Sequence, residues 1–162
     1  MKKKIKVLLI GSSGVLGNKL YKKLKEKFIL YHNGLKARKK NLSKISNLER
    51  LILGIKPNVI INCLALTNID ECETKPDLSY AVNVKIVDDI FKIKKKNFLK
   101  FKYIQISTDH LYDLNKKNKT SNEKNVKINN TYSQHKFLSE NIAEKNNAII
   151  LRTNFFGNNL KD

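Results

Sequence analysis

Five short apolar runs, each nearly continuous rather than alternating with polar residues, recur along the chain with helical patterns between them. They are KIKVLLI (4–10), KFILY (27–31), PNVIIN (57–62), KYIQIS (102–107) and AIILRT (148–153). Runs of this kind suit strands covered on both faces, and their spacing leaves room for helices near 15–26, 44–55, 76–96 and 133–145. A regular strand–helix alternation needs crossover connections, which build a parallel sheet from right-handed βαβ units. The expected fold is therefore α/β, a doubly wound parallel sheet of the NAD(P)-binding Rossmann kind. With 162 residues and 41% apolar content the chain suits one folded domain over 1–162. The polar stretch LNKKNKTSNEKNVKINN (114–130) reads as a long loop, which in a compact domain is usually functional or mobile.

The first strand runs straight into GSSGVLG, so Gly11, Gly14 and Gly17 stand three apart at the opening of a helix. Glycine permits a tight turn and a close approach of backbone to a pyrophosphate, whose charge meets the free N–H groups of the helix start. A plain strand-to-helix turn would use glycine too, but the order strand, loop, helix favours a dinucleotide site. Its candidate cofactor contacts are Gly11, Ser13, Gly14, Val15, Leu16 and Gly17. After the second strand, an NAD site usually carries an acid for the adenosine ribose. The segment YHNGLKARKK has none and instead offers Lys36, Arg38, Lys39 and Lys40. Arg38 is the candidate for a ribose 2′-phosphate, which favours NADP and leaves NAD open; ordinary surface charge is the alternative for the same residues.

Charge admits a second class of function. The formal net charge is +19, and a basic surface attracts nucleic acid or anionic lipid. Yet only Arg38, Arg50 and Arg152 are arginines, the residue that bidentate phosphate recognition favours, and lysine is spread over nearly every segment. That distribution suits solvated positions filled by a compositional bias. The start MKKKIKVLLIG has too short an apolar run for a signal peptide, and no run approaches the length needed to cross a bilayer. A soluble, cytoplasmic protein is expected, without membrane or specific nucleic-acid partner. Cys63 and Cys72 have neither metal-ligand spacing nor a secretory context and read as free thiols.

Three of the six tyrosines stand four residues before a lysine: Tyr21 with Lys25, Tyr112 with Lys116, and Tyr132 with Lys136. Position separates them. Tyr21 and Lys25 fall late in the first helix, and Tyr112 with Lys116 falls in the polar loop. Tyr132 and Lys136 open the helix before the fifth strand, one turn apart on one face, where Thr108 at the end of the fourth strand can meet them. A neighbouring ammonium can bring a phenol from pKa ~10 toward ~7, making tyrosine a proton donor to a carbonyl as hydride arrives.

GSSGVLG, NCLALTNIDECE (62–73), AVN (81–83), STD (107–109), YSQHK (132–136) and LRTNFFG (151–157) together resemble the extended short-chain dehydrogenase/reductases, most closely their dTDP-4-dehydrorhamnose reductase branch. The resemblance runs in order over essentially the whole chain. It implies an NAD(P)-dependent oxidoreductase acting on a keto-sugar nucleotide, with Thr108, Tyr132 and Lys136 as the catalytic group and Lys136 also holding the nicotinamide ribose. It implies further cofactor contacts at Ala65, Leu66 and Asn83, and a role in the polysaccharide-building chemistry of dTDP-rhamnose, and it leaves room for a homodimer. NLSK (41–44) stands where the family has an acidic segment, and His110 where an aromatic often follows STD. Asp70, Glu71 and Glu73 read as loop acids, with no metal site expected. The sequence stops at GNNLKD, about where such enzymes cross into the substrate lobe, so the chain is expected to be the N-terminal, cofactor-binding part of a longer enzyme. A non-catalytic nucleotide-binding regulatory relative is the second reading, and a basic nucleic-acid-interaction module the third.

Overall fold

The apolar runs become five parallel strands: β1 (Lys6–Ile10), β2 (Ile29–Asn33), β3 (Val59–Asn62), β4 (Lys102–Thr108) and β5 (Ile149–Thr153). In this computed structural model residues 4–33, 44–112 and 126–154 are described. The strand order is β2-β1-β3-β4-β5. The chain leaves β1 toward β2 on one side and later returns to lay β3 on the other, so the sheet has a switch point beyond the carboxyl ends of β1 and β3. Open α/β sheets take their ligands in that crevice. The loop that follows β1 begins at Gly11, the loop that follows β3 at Cys63, and Thr108 ends β4 beside them in register with Thr153.

Connections are helical, as the sequence predicts, with one subdivision. Helix α1 covers Val15–Leu24 and α2 covers Ile45–Ile55. The predicted helix 76–96 is preceded by a short one, α3 (Ile69–Thr74), and is itself split into α4 (Pro76–Tyr80), a π turn over Ala81–Lys85, and α5 (Ile86–Lys96). A last helix, α6 (Thr131–Lys145), joins β4 to β5. Asn68 caps α3, its side chain accepting from Glu71 N at 2.8 Å. Asn130 caps α6 in a reciprocal box: its Oδ1 accepts from Ser133 N at 2.7 Å, and Ser133 Oγ accepts from Asn130 N at 3.2 Å. Such caps supply partners to N–H groups that a helix start cannot pair internally.

Side chains alternate across the sheet. Leu8, Ile10, Ile60 and Tyr103 point to the face that carries Leu48 and Ile52 of α2, Ile90 and Phe91 of α5, and Ala143 of α6, forming the main core. The opposite face bears Val7, Leu9, Val59, Ile61, Ile104, Ile106, Ile149 and Leu151, adjacent across the strands by register. Here the expectation of strands covered on both faces needs correction. Val7 and Leu9 are buried beside α1, which packs on β1 and β2, but cover thins across the sheet. Val59, Ile61, Ile104 and Ile106 are half-buried, and Ile149 and Leu151 are 50% and 44% exposed. The sequence pattern records that these positions are apolar, not whether this length of chain supplies a layer to cover them.

Candidate functional site

The glycine turn divides its three residues by purpose. Gly11 adopts φ +80°, and a Cβ there would stand 2.6 Å from Leu64 N, where the loops after β1 and β3 pass each other. A Cβ on Gly17 would stand 2.1 Å from Gly11 O, so α1 docks on its own entry loop only without a side chain. Packing explains both. Gly14 has φ −74° and ψ 167°, open to any residue, and a Cβ there would meet nothing closer than Gly11 O at an ordinary 3.6 Å. Its missing side chain leaves a cradle facing out of the protein, in front of the first turn of α1, which has no acid and no capping side chain. Uncapped helix N–H groups beside a backbone-lined hollow suit a pyrophosphate. The residues present therefore fit a dinucleotide. Ser13 and Val15 are exposed beside this hollow and Leu16 is half-buried.

At the carboxyl end of β4, Thr108 turns the chain into a short 3-10 turn (Asp109–Leu111), its Oγ1 accepting from His110 N at 3.2 Å. The same hydroxyl stands close enough to the Tyr132 phenol to lower its pKa, bringing β4 and α6 together as the sequence spacing predicts. Thr108, Tyr132 and Lys136 are all buried, at 5%, 7% and 2% exposure. His110 lies edge-on to Tyr132, ring centroids 5.8 Å apart, which keeps it a ring contact at the mouth of the site. Lys136 Nζ donates to Ile106 O at 2.6 Å.

That last contact reverses one expectation. Tyr132 is not lowered by Lys136: burial, the largest cause, pushes its phenol up, and the Thr108 hydroxyl opposes this in part. The ammonium is turned to the β4 carbonyl and is itself lowered to about 8, again mainly by burial, with Glu140 pulling the other way. Lys136 also acts on Cys63, whose thiol burial pushes up to about 12, leaving it a poor nucleophile. A phenol raised in this way remains the neutral acid at ordinary pH, the form that donates a proton.

Leu66 and Asn83 meet through paired hydrogen bonds. Leu66 N donates to Asn83 Oδ1 at 2.9 Å, and Asn83 Nδ2 donates to Leu66 O at 3.1 Å. The Asn83 amide thus clamps the loop after β3 as a neighbouring strand would. The π turn presents Asn83, buried, at that spot; such turns are frequent at functional sites. Ala65 is half-buried on the same loop. Arg38, and with it the NADP preference, lies outside the described residues, as do Lys36, Lys39, Lys40, Lys116, 41–43 of NLSK and 157–162. Of the other tyrosines, Tyr21 packs edge-on against His32, and Tyr112 lies under the Arg152 guanidinium.

Several residues near the site take roles that the sequence reading did not give them, and Glu73, expected with Asp70 and Glu71 to be a loop acid, lies with them on α3. Glu73 accepts from Thr131 N at 2.6 Å and Thr131 Oγ1 at 2.8 Å, anchoring the start of α6, and these bonds hold its carboxyl below the usual range. Glu140 pairs with Arg152, Nη2 to Oε2 at 2.7 Å and Nε to Oε1 at 3.0 Å, tying α6 to β5. Ser79 Oγ lies 2.8 Å from His135 Nδ1. His32 Nδ1 lies 3.3 Å from Ser12 Oγ, joining the end of β2 to the glycine loop. No local signal marks any of these, since each acquires its partner only when distant segments pack.

Parallel sheet, switch-point crevice, glycine turn and the polar group at the end of β4 place the chain in the class of NAD(P)-type Rossmann proteins. Within that class, the chain belongs to the family described as the RmlD substrate binding domain, which it matches over residues 5–161. A dTDP-4-dehydrorhamnose reductase of Aggregatibacter actinomycetemcomitans is 27% identical over 160 residues, 95% of this chain and 54% of that protein. The beta subunit of methionine adenosyltransferase 2 from Xenopus laevis is 31% identical over 116 residues, 67% of this chain and 34% of that protein. Among solved structures, the dTDP-4-dehydrorhamnose reductase of Bacillus anthracis in complex with NADP superposes with a TM-score of 0.84 at 26% identity, covering 98% of this chain and 58% of that one. The UDP-glucose 4-epimerase of Thermus thermophilus, complexed with NAD, shares the fold at a TM-score of 0.77 and 14% identity. The chain spans about half the length of the reductases it matches.

Proposed function

We propose that the chain is the cofactor-binding part of an NADP(H)-dependent reductase of a keto-sugar nucleotide, of the dTDP-4-dehydrorhamnose reductase type, acting in the cytoplasm. The observation that carries this reading is the meeting of Thr108 and Tyr132, with Lys136 one turn on, beyond strand ends that also hold the open Gly14 cradle. The B. anthracis reductase, alike over nearly the whole of this chain, is a complex with NADP. NADP is preferred to NAD because no acid follows β2 and Arg38 does.

A reduced nicotinamide supplies the hydride in such a reaction. Gly14 and the start of α1 receive the pyrophosphate, while Ala65, Leu66 and Asn83 line the cofactor side. Tyr132, neutral at ordinary pH, gives its proton to the carbonyl oxygen of the sugar, which also accepts from the Thr108 hydroxyl. Lys136 holds the ribose, one helical turn from the phenolate that remains once the proton has left. The partner is a nucleotide sugar, with a homodimer as a compatible assembly and no specific nucleic acid or membrane partner. The chain covers about half the length of the reductases it resembles, and cofactor binding with little or no turnover is expected of it.

Calorimetric titration tests the reading. NADPH should bind more tightly than NADH, and Tyr132→Phe should retain that affinity. In a chain carrying the second half of its relatives, the same variant should lose ~10²–10⁴-fold in NADPH consumption, the usual contribution of a general acid. Absence of any nicotinamide binding sinks the proposal; tighter NADH binding overturns the reading of Arg38. The likeness to a methionine adenosyltransferase subunit supports a second reading, a nucleotide-binding subunit without turnover, in which Tyr132→Phe changes nothing measurable.

A further inference from the structure

A buried chain of hydrogen bonds runs from the loop after β3 to the helix that carries Tyr132 and Lys136. Its atoms can be assigned from one end. Leu66 N donates to Asn83 Oδ1 and Leu66 O accepts from Asn83 Nδ2, which fixes the orientation of the Asn83 amide. The same Nδ2 donates its other hydrogen to Ser79 Oγ at 3.2 Å. Ser79 is completely buried, so its own proton needs an acceptor, and His135 Nδ1 stands 2.8 Å away. The Leu66, Asn83 and Ser79 groups are then all satisfied only when His135 is neutral with its hydrogen on Nε2. His135 itself sits between Tyr132 and Lys136 in sequence, is 7% exposed, and packs edge-on to the Tyr80 ring at 5.6 Å.

We propose that Ser79 and His135 are positioning residues that lock the cofactor-side loop at Leu66 to the Tyr132–Lys136 helix, and that protonation of His135 releases the lock. The inference rests on the cofactor reading of this crevice given above. When His135 gains a proton, Nδ1 becomes a donor and two donors then converge on Ser79 Oγ. The Ser79 hydroxyl hydrogen loses its acceptor in a dry site, and when the hydroxyl turns to find another, the lone pair that holds Asn83 Nδ2 turns with it. The groups facing His135 are Glu73 of α3 and Ser79 and Tyr80 of α4. Burial lowers its pKa and the Glu73 carboxylate partly restores it, so the lock is closed at neutral pH and opens on acidification below the ordinary value of 6.5.

The test uses the 162-residue chain, labelled with nitrogen-15. His32, His110 and His135 are its three histidines, and loss of one set of ring signals in His135→Asn assigns the third. The expected result is a neutral Nε2–H form for His135 and a Leu66 amide signal that shifts with the titration of His135, a shift lost in Ser79→Ala. A Leu66 amide indifferent to that titration, or an Nδ1–H tautomer, overturns the proposal whatever the chain binds. Affinity is then followed with NAD+, which lacks the 2′-phosphate that itself titrates near pH ~6. Wild-type affinity should fall roughly tenfold from about pH 7.5 to about pH 5, the cost of one unsatisfied buried group. His135→Leu, without an acceptor for Ser79, should be weak at every pH. His135→Asn keeps an acceptor near the Nδ1 position and should bind closer to wild type, without the pH dependence. If His135→Asn and His135→Leu bind alike, the lock plays no part in binding and the proposal fails. A wild-type chain that binds no nicotinamide dinucleotide overturns the functional reading instead, and the Leu66 signal still decides the coupling.

Discussion

Gly14 and Gly17 are the same residue type three positions apart, yet the structure asks opposite things of them. Gly17→Val places carbon atoms inside the Gly11 carbonyl and should cost several kcal/mol or prevent folding, because backbone, not a flexible side chain, is in the way. Gly14→Val should leave the thermal transition within a few degrees of wild type and abolish NADPH binding; calorimetry of both events separates them. Equal affinity in Gly14→Val would show that the cradle holds no pyrophosphate. Lys136 invites a second comparison. Its folded pKa of about 8 lies below the ordinary 10.5, so the unfolded chain binds more protons between those values and stability rises with pH across that window. Below pH 8 the full cost of burying the ammonium is present. Lys136→Met removes it, and Ile106 O still accepts from Gln105 Nε2 at 3.1 Å. The variant should therefore melt a few degrees higher than wild type at pH 7, with the gap closing toward pH 10.5, while losing nicotinamide affinity. A lower melting point at pH 7 would show that Lys136 stabilises the fold as well as the site.

Helix α6 carries most of what matters and shows where sequence reasoning stops. Its start was legible within two residues, 133 expected against Thr131 observed; so were the common face of Tyr132 and Lys136 and the meeting of Tyr132 with Thr108. The strands and the glycine turn were legible for the same reason: period and glycine placement are local properties of the chain. Glu73, Ser79 and His135 were not, because an acid 58 positions from its partner and a serine 56 positions from its own have no local mark. Nor was the direction in which Lys136 points, which decides the sign of the Tyr132 shift. The π turn at Asn83 was hidden inside a segment with an unbroken helical pattern. At this scale the cap is testable. Asn130→Ala removes the side-chain acceptor of Ser133 N and should cost about 1 kcal/mol, a fall of ~2–4 °C in the melting point of a chain this long. Glu73→Gln keeps one acceptor for Thr131 and should cost less at neutral pH. Because its bonds to Thr131 lower the Glu73 pKa, that carboxylate contributes stability above the ordinary range and loses it as pH falls through the folded value. Acid titration of the melting point should accordingly be shallower in the Gln variant.

Over the whole molecule, the sheet is the element whose two faces are unevenly covered among the described residues. One face is roofed by α2, α5 and α6, while the other is roofed by α1 over β1 and β2 and then runs out into Ile104, Ile106, Ile149 and Leu151. β5 is also the last strand of the described sheet, so exposed apolar side chains and an unpaired strand edge coincide. Edges of this kind pair with other chains unless charge or a covering layer intervenes. The net charge of +19 opposes association through long-range repulsion, but salt screens that term within ~10 Å at 0.1 M while leaving apolar contact untouched. The two effects predict a salt-dependent equilibrium: little self-association at low ionic strength, and growing association as salt is added. Ile149→Lys with Leu151→Thr should abolish the growth without disturbing the opposite core, since both side chains lie on the exposed face, while Ile150 between them and Arg152 after them do not. Sedimentation or light scattering across a salt series reads the outcome directly. Association that persists unchanged in the double variant would place the contact elsewhere, with Phe98, 91% exposed at the end of α5, the next residue to change.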